Sequence, residues 1–142
     1  MSRVSLFSGV WHVDGPTVVP GFSAKSGRGL YAARPLEAGA VLDRACSIPL
    51  SGDQCDALEN LLPLGDFYFR HPENPDEGLI LVGLLSLSNH SDKPNALIRH
   101  QHHEGLGWVA ELVATRSIAA GAEVTHRYRC GPWFEMAEEE LA

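Results

Sequence analysis

Short apolar runs alternate with turn residues along most of the chain, and this pattern predicts a mainly β protein. Fourteen glycines and nine prolines are spread over the 142 residues, as expected for many turns between short strands. The predicted strands are 18–23, 30–33, 40–50, 67–69, 96–103, 106–115 and 123–129. Pro20 makes the first of them an edge strand or a bulge. Strands 96–103 and 106–115 are expected to form a hairpin around Gly105.

One segment, 51–62, has the pattern of an α-helix. Ser51 is a suitable N-cap, and apolar residues from Cys55 to Leu62 fall on one face. Pro63 ends the pattern, since proline blocks helix continuation.

An apolar run at 79–87 stops abruptly at a polar cluster, Asn89-His90-Ser91-Asp92-Lys93-Pro94-Asn95. The run itself fits either a strand or a short helix. Asn95 is expected to close a local turn through its side chain. Polar groups fixed directly to a core segment are costly unless they are paired, so the cluster predicts ligand binding or cross-linking of the backbone.

Size and charge narrow the class of protein. The length suits a single domain, 1–142. A net charge of −7 argues against nonspecific nucleic-acid binding and favours a basic partner. Three cysteines without a C-x-x-C motif argue against a cysteine-built zinc site and indicate a reducing, intracellular compartment. No apolar stretch is long enough for a bilayer, and the N-terminus lacks the apolar region of a signal peptide, so no membrane association is expected.

Three segments together resemble the SET domain family. They are Gly27-Arg28-Gly29-Leu30-Tyr31-Ala32, the Asn89–Asn95 cluster, and the stretch 114–128 that ends at Tyr128. Their order matches the family, and the resemblance covers about 23–128, which leaves 129–142 as a C-terminal tail. The resemblance implies several small twisted β-sheets, one or two short helices, and a knot-like core in which the polar cluster 89–95 threads beneath the closing segment 114–128.

The resemblance also implies an activity: transfer of a methyl group from S-adenosylmethionine to a lysine of a basic protein such as a histone. Tyr128 would be the catalytic residue, and it would line the substrate channel together with His126. No metal is expected. The residues that would bind the cofactor are Gly27, Arg28, Gly29, Asn89, His90, Tyr128 and Trp133.

The sequence departs from the family pattern beside Tyr128. His126 stands where relatives have an aromatic residue that affects how many methyl groups fit, and Arg127 stands where they have an acidic one. Only Cys130 remains of a cysteine triplet that follows the domain in many relatives, so Trp133 or Phe134 would cover the adenine instead.

Three alternatives stay open at this point. The chain could be a noncatalytic SET-like domain that binds a peptide or the cofactor. It could be a small metal-binding β-barrel resembling a cupin, with His100 and His102 on one face of a strand. A homodimer, in which a second copy completes the peptide groove, is also open.

Overall fold

The computed structural model describes residues 16–24, 27–61 and 67–128, and this part of the chain confirms the predicted mainly β fold. One α-helix, α1 (Gly52–Glu59), and one 3-10 helix (Leu84–Leu87) accompany the strands in these ranges. The strands are β1 (Val18–Ser23), β2 (Gly27–Ala32), β3 (Val41–Leu50), β4 (Tyr68–Arg70), β5 (Gly78–Val82), β6 (Asn89–His90), β7 (Ala96–His103), β8 (Gly107–Ala114) and β9 (Glu123–His126).

The first sheet has the strand order β1-β2-β9-β6 and carries the polar cluster at one edge. Strand β1 lies at the opposite edge, so Pro20 removes no hydrogen bond from the interior of the sheet. Strand β2 begins at Gly27, three residues before the predicted Leu30, because the Gly-Arg-Gly segment pairs with β1 instead of forming a turn.

The second sheet has the order β4-β5-β3-β8-β7, with antiparallel neighbours throughout. The predicted hairpin is confirmed: β7 and β8 pair from Ala96↔Ala114 to His103↔Gly107. Gly105 has φ +90°, a left-handed conformation that suits glycine in a tight turn.

The core is shared by both sheets and the 3-10 helix. It includes fully buried leucines and valines such as Leu30 in β2, Leu79 in β5, Leu85 in the 3-10 helix, Leu112 in β8 and Val124 in β9. Since burial of each leucine side chain removes apolar surface from water, this shared core fixes the two sheets relative to each other.

The predicted helix begins where expected and ends early. Ser51 forms a capping box with Gln54: its hydroxyl accepts from the Gln54 N–H, and its own N–H donates to the Gln54 side chain. The helix ends at Glu59 and not at 62, and Leu61 is 55% exposed. Cys55 is the buried residue of the helix, so only part of the predicted apolar face is removed from solvent. No helix in the described ranges has the length and apolar character needed to cross a membrane.

The apolar run 79–87 is both a strand and a helix. Strand β5 ends at Val82, and the 3-10 helix follows it. The carboxylate of Asp43 in β3 accepts from the Leu85 N–H at 2.8 Å and fixes the start of this helix, and burial raises the pKa of that carboxyl. A Cβ at Gly83 would lie 2.8 Å from Cβ of Ala45, so only glycine fits at this position. This turn delivers Ser88 and Asn89 to the first sheet.

Candidate active site

The site forms where two distant segments meet as parallel strands. Strand β6 pairs with β9, with Asn89 opposite Thr125 and His90 opposite His126. The N–H of Ser91 donates to the carbonyl of His126 at 3.1 Å and extends the contact. The polar cluster and the end of the closing segment, predicted to meet, are therefore neighbours.

Asn89 joins three segments through its side-chain amide. Nδ2 donates to the carbonyl of Arg28 at 2.8 Å and to Oε2 of Glu123 at 2.7 Å. A Cβ at Gly29 would lie 2.5 Å from Glu123 Oε2 and 3.0 Å from Asn89 Nδ2. Gly29 is thus required by the close approach of these two side chains, whereas Gly27 has φ +83° and open space around it. The family resemblance had implied that both glycines bind the cofactor.

Asn95 forms a second cross-link, and the local contact predicted for its side chain was wrong. It was expected to close a local turn, but its Nδ2 donates to the carbonyl of Glu123 and its Oδ1 accepts from the N–H of Thr125, each at 2.9 Å. The side chain therefore pairs with the backbone of β9, thirty residues away, and holds that strand against the polar cluster.

His90 positions the backbone of Tyr128. Its Nδ1 accepts from the Tyr128 N–H at 3.0 Å, so the ring proton is on Nε2, which faces Asp92 Oδ1 at 3.1 Å. The His90 ring also meets the Tyr128 ring edge-on, with centroids 5.3 Å apart. One imidazole thus fixes both the main chain and the ring of the predicted catalytic residue.

Tyr128 presents a partly exposed phenol two residues after β9 ends. Its hydroxyl donates to the carbonyl of Ser88 at 3.1 Å, and the residue is 36% exposed. The hydroxyl oxygen keeps acceptor capacity for a further group, since donation uses only its hydrogen.

His126 lies beneath Tyr128 and is 3% exposed. Its ring stacks on Phe69 with centroids 6.0 Å apart and lies 4.9 Å from the ring of Tyr128. Burial, with a smaller contribution from nearby His90, lowers the pKa of His126 to about 3. The imidazole is therefore neutral over the physiological pH range.

Arg127 contacts Asp92 of the polar cluster. Its Nη2 donates to the carbonyl of Asp92 at 2.6 Å, and Nη1 lies 3.8 Å from that residue's carboxylate. Sequence reasoning gave no role in the site to Ser88, Asp92 or Glu123. Ser88 directly precedes the polar cluster 89–95 and Asp92 lies within it, so a search through that cluster and its nearest polar neighbour would have found both.

Two further expectations concern other parts of the chain: the role of Trp133 and the cupin-like metal site. Trp133 and the tail 129–142 lie outside the described residues. Within the described ranges no three His, Cys, Asp or Glu side chains could together hold a metal ion. His102 is exposed and packs edge-on to Trp108, with centroids 5.2 Å apart, so the geometry gives no support to the cupin-like alternative.

Two cavities lie away from these residues. One of about 560 Å³ is bounded by the β1 and β3 region, including Val18, Leu36 and Asp43. A second of about 200 Å³ is lined by Cys55, Tyr68 and acidic side chains. Neither cavity is lined by Asn89, His90 or Tyr128. The candidate site is therefore defined by hydrogen bonds and ring contacts between its residues.

Comparison with known proteins identifies the family. The sequence profile of the SET domain matches residues 27–129, and the chain belongs to the SET domain family. A search of the curated proteins finds no match.

Solved structures share the fold of this chain. A Plasmodium falciparum protein described as a histone methyltransferase aligns with a TM-score of 0.67 at 20% identity, over 84% of this chain and 99% of that one. A humanized mutant of the Chaetomium thermophilum Polycomb Repressive Complex 2, bound to the inhibitor GSK126, aligns at 0.65 and 24% identity. The match covers 81% of this chain and 15% of that larger chain. At these identities the likeness shows the fold.

Proposed function

We propose that the protein is an S-adenosylmethionine-dependent methyltransferase that acts on a lysine side chain of a basic protein, with Tyr128 as the catalytic residue. The observation that carries the proposal is the meeting of Asn89, His90 and Tyr128 in one site of a SET domain. The net charge of −7 supports a substrate whose lysine lies in a basic segment, such as a histone tail.

The side chains present are compatible with a cationic methyl donor. The Tyr128 hydroxyl and the Ser88 carbonyl are oxygen acceptors, and the buried His126 is neutral. Acceptor oxygens form weak C–H···O contacts with a polarised methyl group, and a neutral imidazole adds no repulsive charge. When bound, S-adenosylmethionine would supply an activated methyl group on a positively charged sulfur.

The residues that would hold the cofactor are those that the family resemblance named in β2 and β6. Asn89 fixes the Arg28 carbonyl, and Gly29 allows β2, β6 and β9 to pack closely around that bond. The Arg28 side chain is exposed next to this point, where a guanidinium would suit the carboxylate of the methionine portion.

Tyr128 would act by orientation. Because its backbone is fixed by His90 and its hydroxyl by Ser88, the phenol oxygen is preorganised to accept from the lysine amine. The amine must be neutral to attack. An adjacent positive charge and an apolar wall such as Phe69 would both lower its pKa, and its proton would leave to solvent. His126, with a pKa near 3, is too weak a base to take that proton.

The test separates an enzyme from a noncatalytic binder. Calorimetry with S-adenosylmethionine measures cofactor binding, and transfer of a radiolabelled methyl group to core histones measures catalysis. We expect both. Binding without transfer to any basic protein would favour the noncatalytic SET-like domain, and absence of binding would overturn the proposal.

A further inference from the structure

The cavity of about 560 Å³ beside β1 and β3 lies outside the candidate active site. Its volume is in the range of sites that bind small molecules. Apolar side chains form much of its described wall, among them Val18, Leu36, Leu42 and Leu84. The first three belong to the core of the domain, so this part of the wall is fixed by close packing and is formed before any ligand arrives.

The charged side chains around the cavity differ in their partners. Arg44 is paired with Glu111, with Nε and Oε2 2.7 Å apart. Arg34 and Glu37 are exposed, so each keeps its contact with water. Asp43 is half-buried, and its carboxylate forms no ion pair with any described residue. The wall of the cavity therefore contains one carboxylate that has lost water without gaining a cation.

This lining favours one class of ligand. Burial raises the pKa of the Asp43 carboxyl, because the charged form is poorly solvated. A protonated amine would supply the missing positive charge through a charge-assisted hydrogen bond. An apolar group on the same molecule would cover the valine and leucine side chains of the wall. An anion would meet the negative charge of Asp43 and would be repelled.

We propose that this cavity is a second ligand site, which binds a small molecule with an apolar body and one protonated amino group, and that the amino group pairs with Asp43. The inference goes beyond the proposed function, because the site uses neither the methyl donor nor the lysine substrate. It can therefore be tested on the protein without any methyl transfer.

A series of hydrogen bonds leads from the cavity to the candidate active site. Asp43 Oδ2 accepts from the Leu85 N–H at 2.8 Å, and the Leu85 carbonyl accepts from the Ser88 hydroxyl at 2.8 Å. The Ser88 carbonyl accepts from the Tyr128 hydroxyl at 3.1 Å. An ammonium group at Asp43 would compete for the carboxylate that holds Leu85. Occupancy of the cavity should thus shift the 3-10 helix and, through Ser88, the environment of Tyr128.

The first experiment titrates the intact protein with tryptamine and follows its valine and leucine methyl groups by NMR. Tryptamine joins an apolar ring system to one amino group. Tryptophol and indole-3-propionate have the same ring system with a neutral and a negative group. Tryptamine should shift the methyl resonances of Val18, Leu36 and Leu84, and tryptophol should bind at least about tenfold more weakly, as expected for loss of one charge-assisted hydrogen bond. Absence of these shifts, or equal or tighter binding of either control compound, would overturn the proposal.

Asp43→Asn is the matched variant, because its amide oxygen can still accept from the Leu85 N–H while the charge is gone. It should bind tryptamine at least about tenfold more weakly than wild type. Glu37→Gln removes an exposed carboxylate at the same cavity and should leave the affinity unchanged. Thermal unfolding confirms that both variants are folded. Unchanged affinity in Asp43→Asn, or an equal loss in Glu37→Gln, would overturn the assignment of Asp43.

The same titration tests the connection to the candidate active site. The amide resonances of Ser88 and Tyr128, which do not line the cavity, should shift as tryptamine binds to wild type. They should not shift in Asp43→Asn at matched occupancy. Shifts confined to the lining residues would overturn the connection. None of these measurements needs turnover, so a protein that binds tryptamine at Asp43 but transfers no methyl group would contradict the proposed function alone.

Discussion

The backbone N–H of Tyr128 donates to Nδ1 of His90, 3.0 Å away and 38 residues earlier in the chain. This bond joins the two segments of the site and fixes the main chain of Tyr128. The position of the Tyr128 hydroxyl depends on that main chain. The same His90 ring packs against the Tyr128 ring.

Removal of the His90 side chain should therefore lower catalysis more than stability. His90→Ala should reduce the rate of methyl transfer by about 10²-fold, as misplacement of a reacting group by about 1 Å does. The free energy of unfolding should fall by only about 1 kcal/mol, since water can replace the lost acceptor. His90→Asn, which offers an oxygen near Nδ1, should recover part of the rate. A His90→Ala rate within twofold of wild type would contradict this role.

Gly29 should be intolerant of even one methyl group. In Gly29→Ala the new Cβ would lie 2.5 Å from Glu123 Oε2, so the Asn89–Glu123 hydrogen bond must shift. Cofactor affinity, measured by calorimetry, should fall about tenfold, because a displaced Asn89 amide can no longer hold the Arg28 carbonyl through its own hydrogen bond. Glu123→Ala in the same chain removes the closest clash and should partly restore the affinity. Equal affinities for Gly29→Ala and wild type would exclude this packing as a determinant.

His126 should make stability depend on pH in mildly acidic solution. Its folded pKa of about 3 lies below the ordinary 6.5, so the unfolded chain binds the extra proton first. The stabilisation is fully present above pH 6.5 and is lost as the pH falls toward 3, by up to about 1.4 kcal/mol per pH unit. Denaturant unfolding of His126→Phe at several pH values should show a flatter decline in this window. His102→Gln, at an exposed position, should keep the wild-type slope, and equal slopes for all three proteins would refute the assignment.

Glu111 should make the free energy of unfolding depend on pH in more acidic solution. Its carboxylate is buried between Arg44 and Arg99, with Nε–O distances of 2.7 and 2.8 Å. Burial alone would raise the pKa of Glu111, but the hydrogen bonds and charges of the two arginines outweigh it and hold the pKa below 4.5. The stabilisation is therefore complete above pH 4.5 and is lost as the pH falls through the lowered value.

Glu111→Ala leaves two guanidinium groups together without their carboxylate. At pH 7 the free energy of unfolding should fall by about 3 kcal/mol. Glu104→Ala, at the exposed hairpin turn, is the matched control and should change it by less than about 0.5 kcal/mol. A Glu111→Ala loss as small as that of the control would show that the cluster contributes little.

The sequence predicted the elements that depend on local chemistry. The Ser51 cap and the β7–β8 hairpin arise from turn residues and from periodic burial, which a single sequence displays. The pairing of β6 with β9 was expected only through the family resemblance, since a two-residue strand has no periodicity of its own.

Long-range side-chain contacts were beyond prediction. Asn95 has the features of a local turn residue, and only the path of β9 brings the Glu123 carbonyl within its reach. Likewise, the space that Gly29 leaves is filled by Glu123 from a strand that sequence alone does not place. The end of α1 at Glu59 was missed because the apolar face continues while nothing in the described structure buries Leu61.

The most direct test of the account is intact-protein and peptide mass spectrometry of core histones after incubation with isotopically labelled S-adenosylmethionine and either wild type or Tyr128→Phe. The account predicts labelled methyl groups on lysine with wild type and at least about 10²-fold less with Tyr128→Phe, while calorimetry finds nearly equal cofactor affinity for the two proteins. Equal labelling by both proteins, or labelled residues other than lysine, would contradict it.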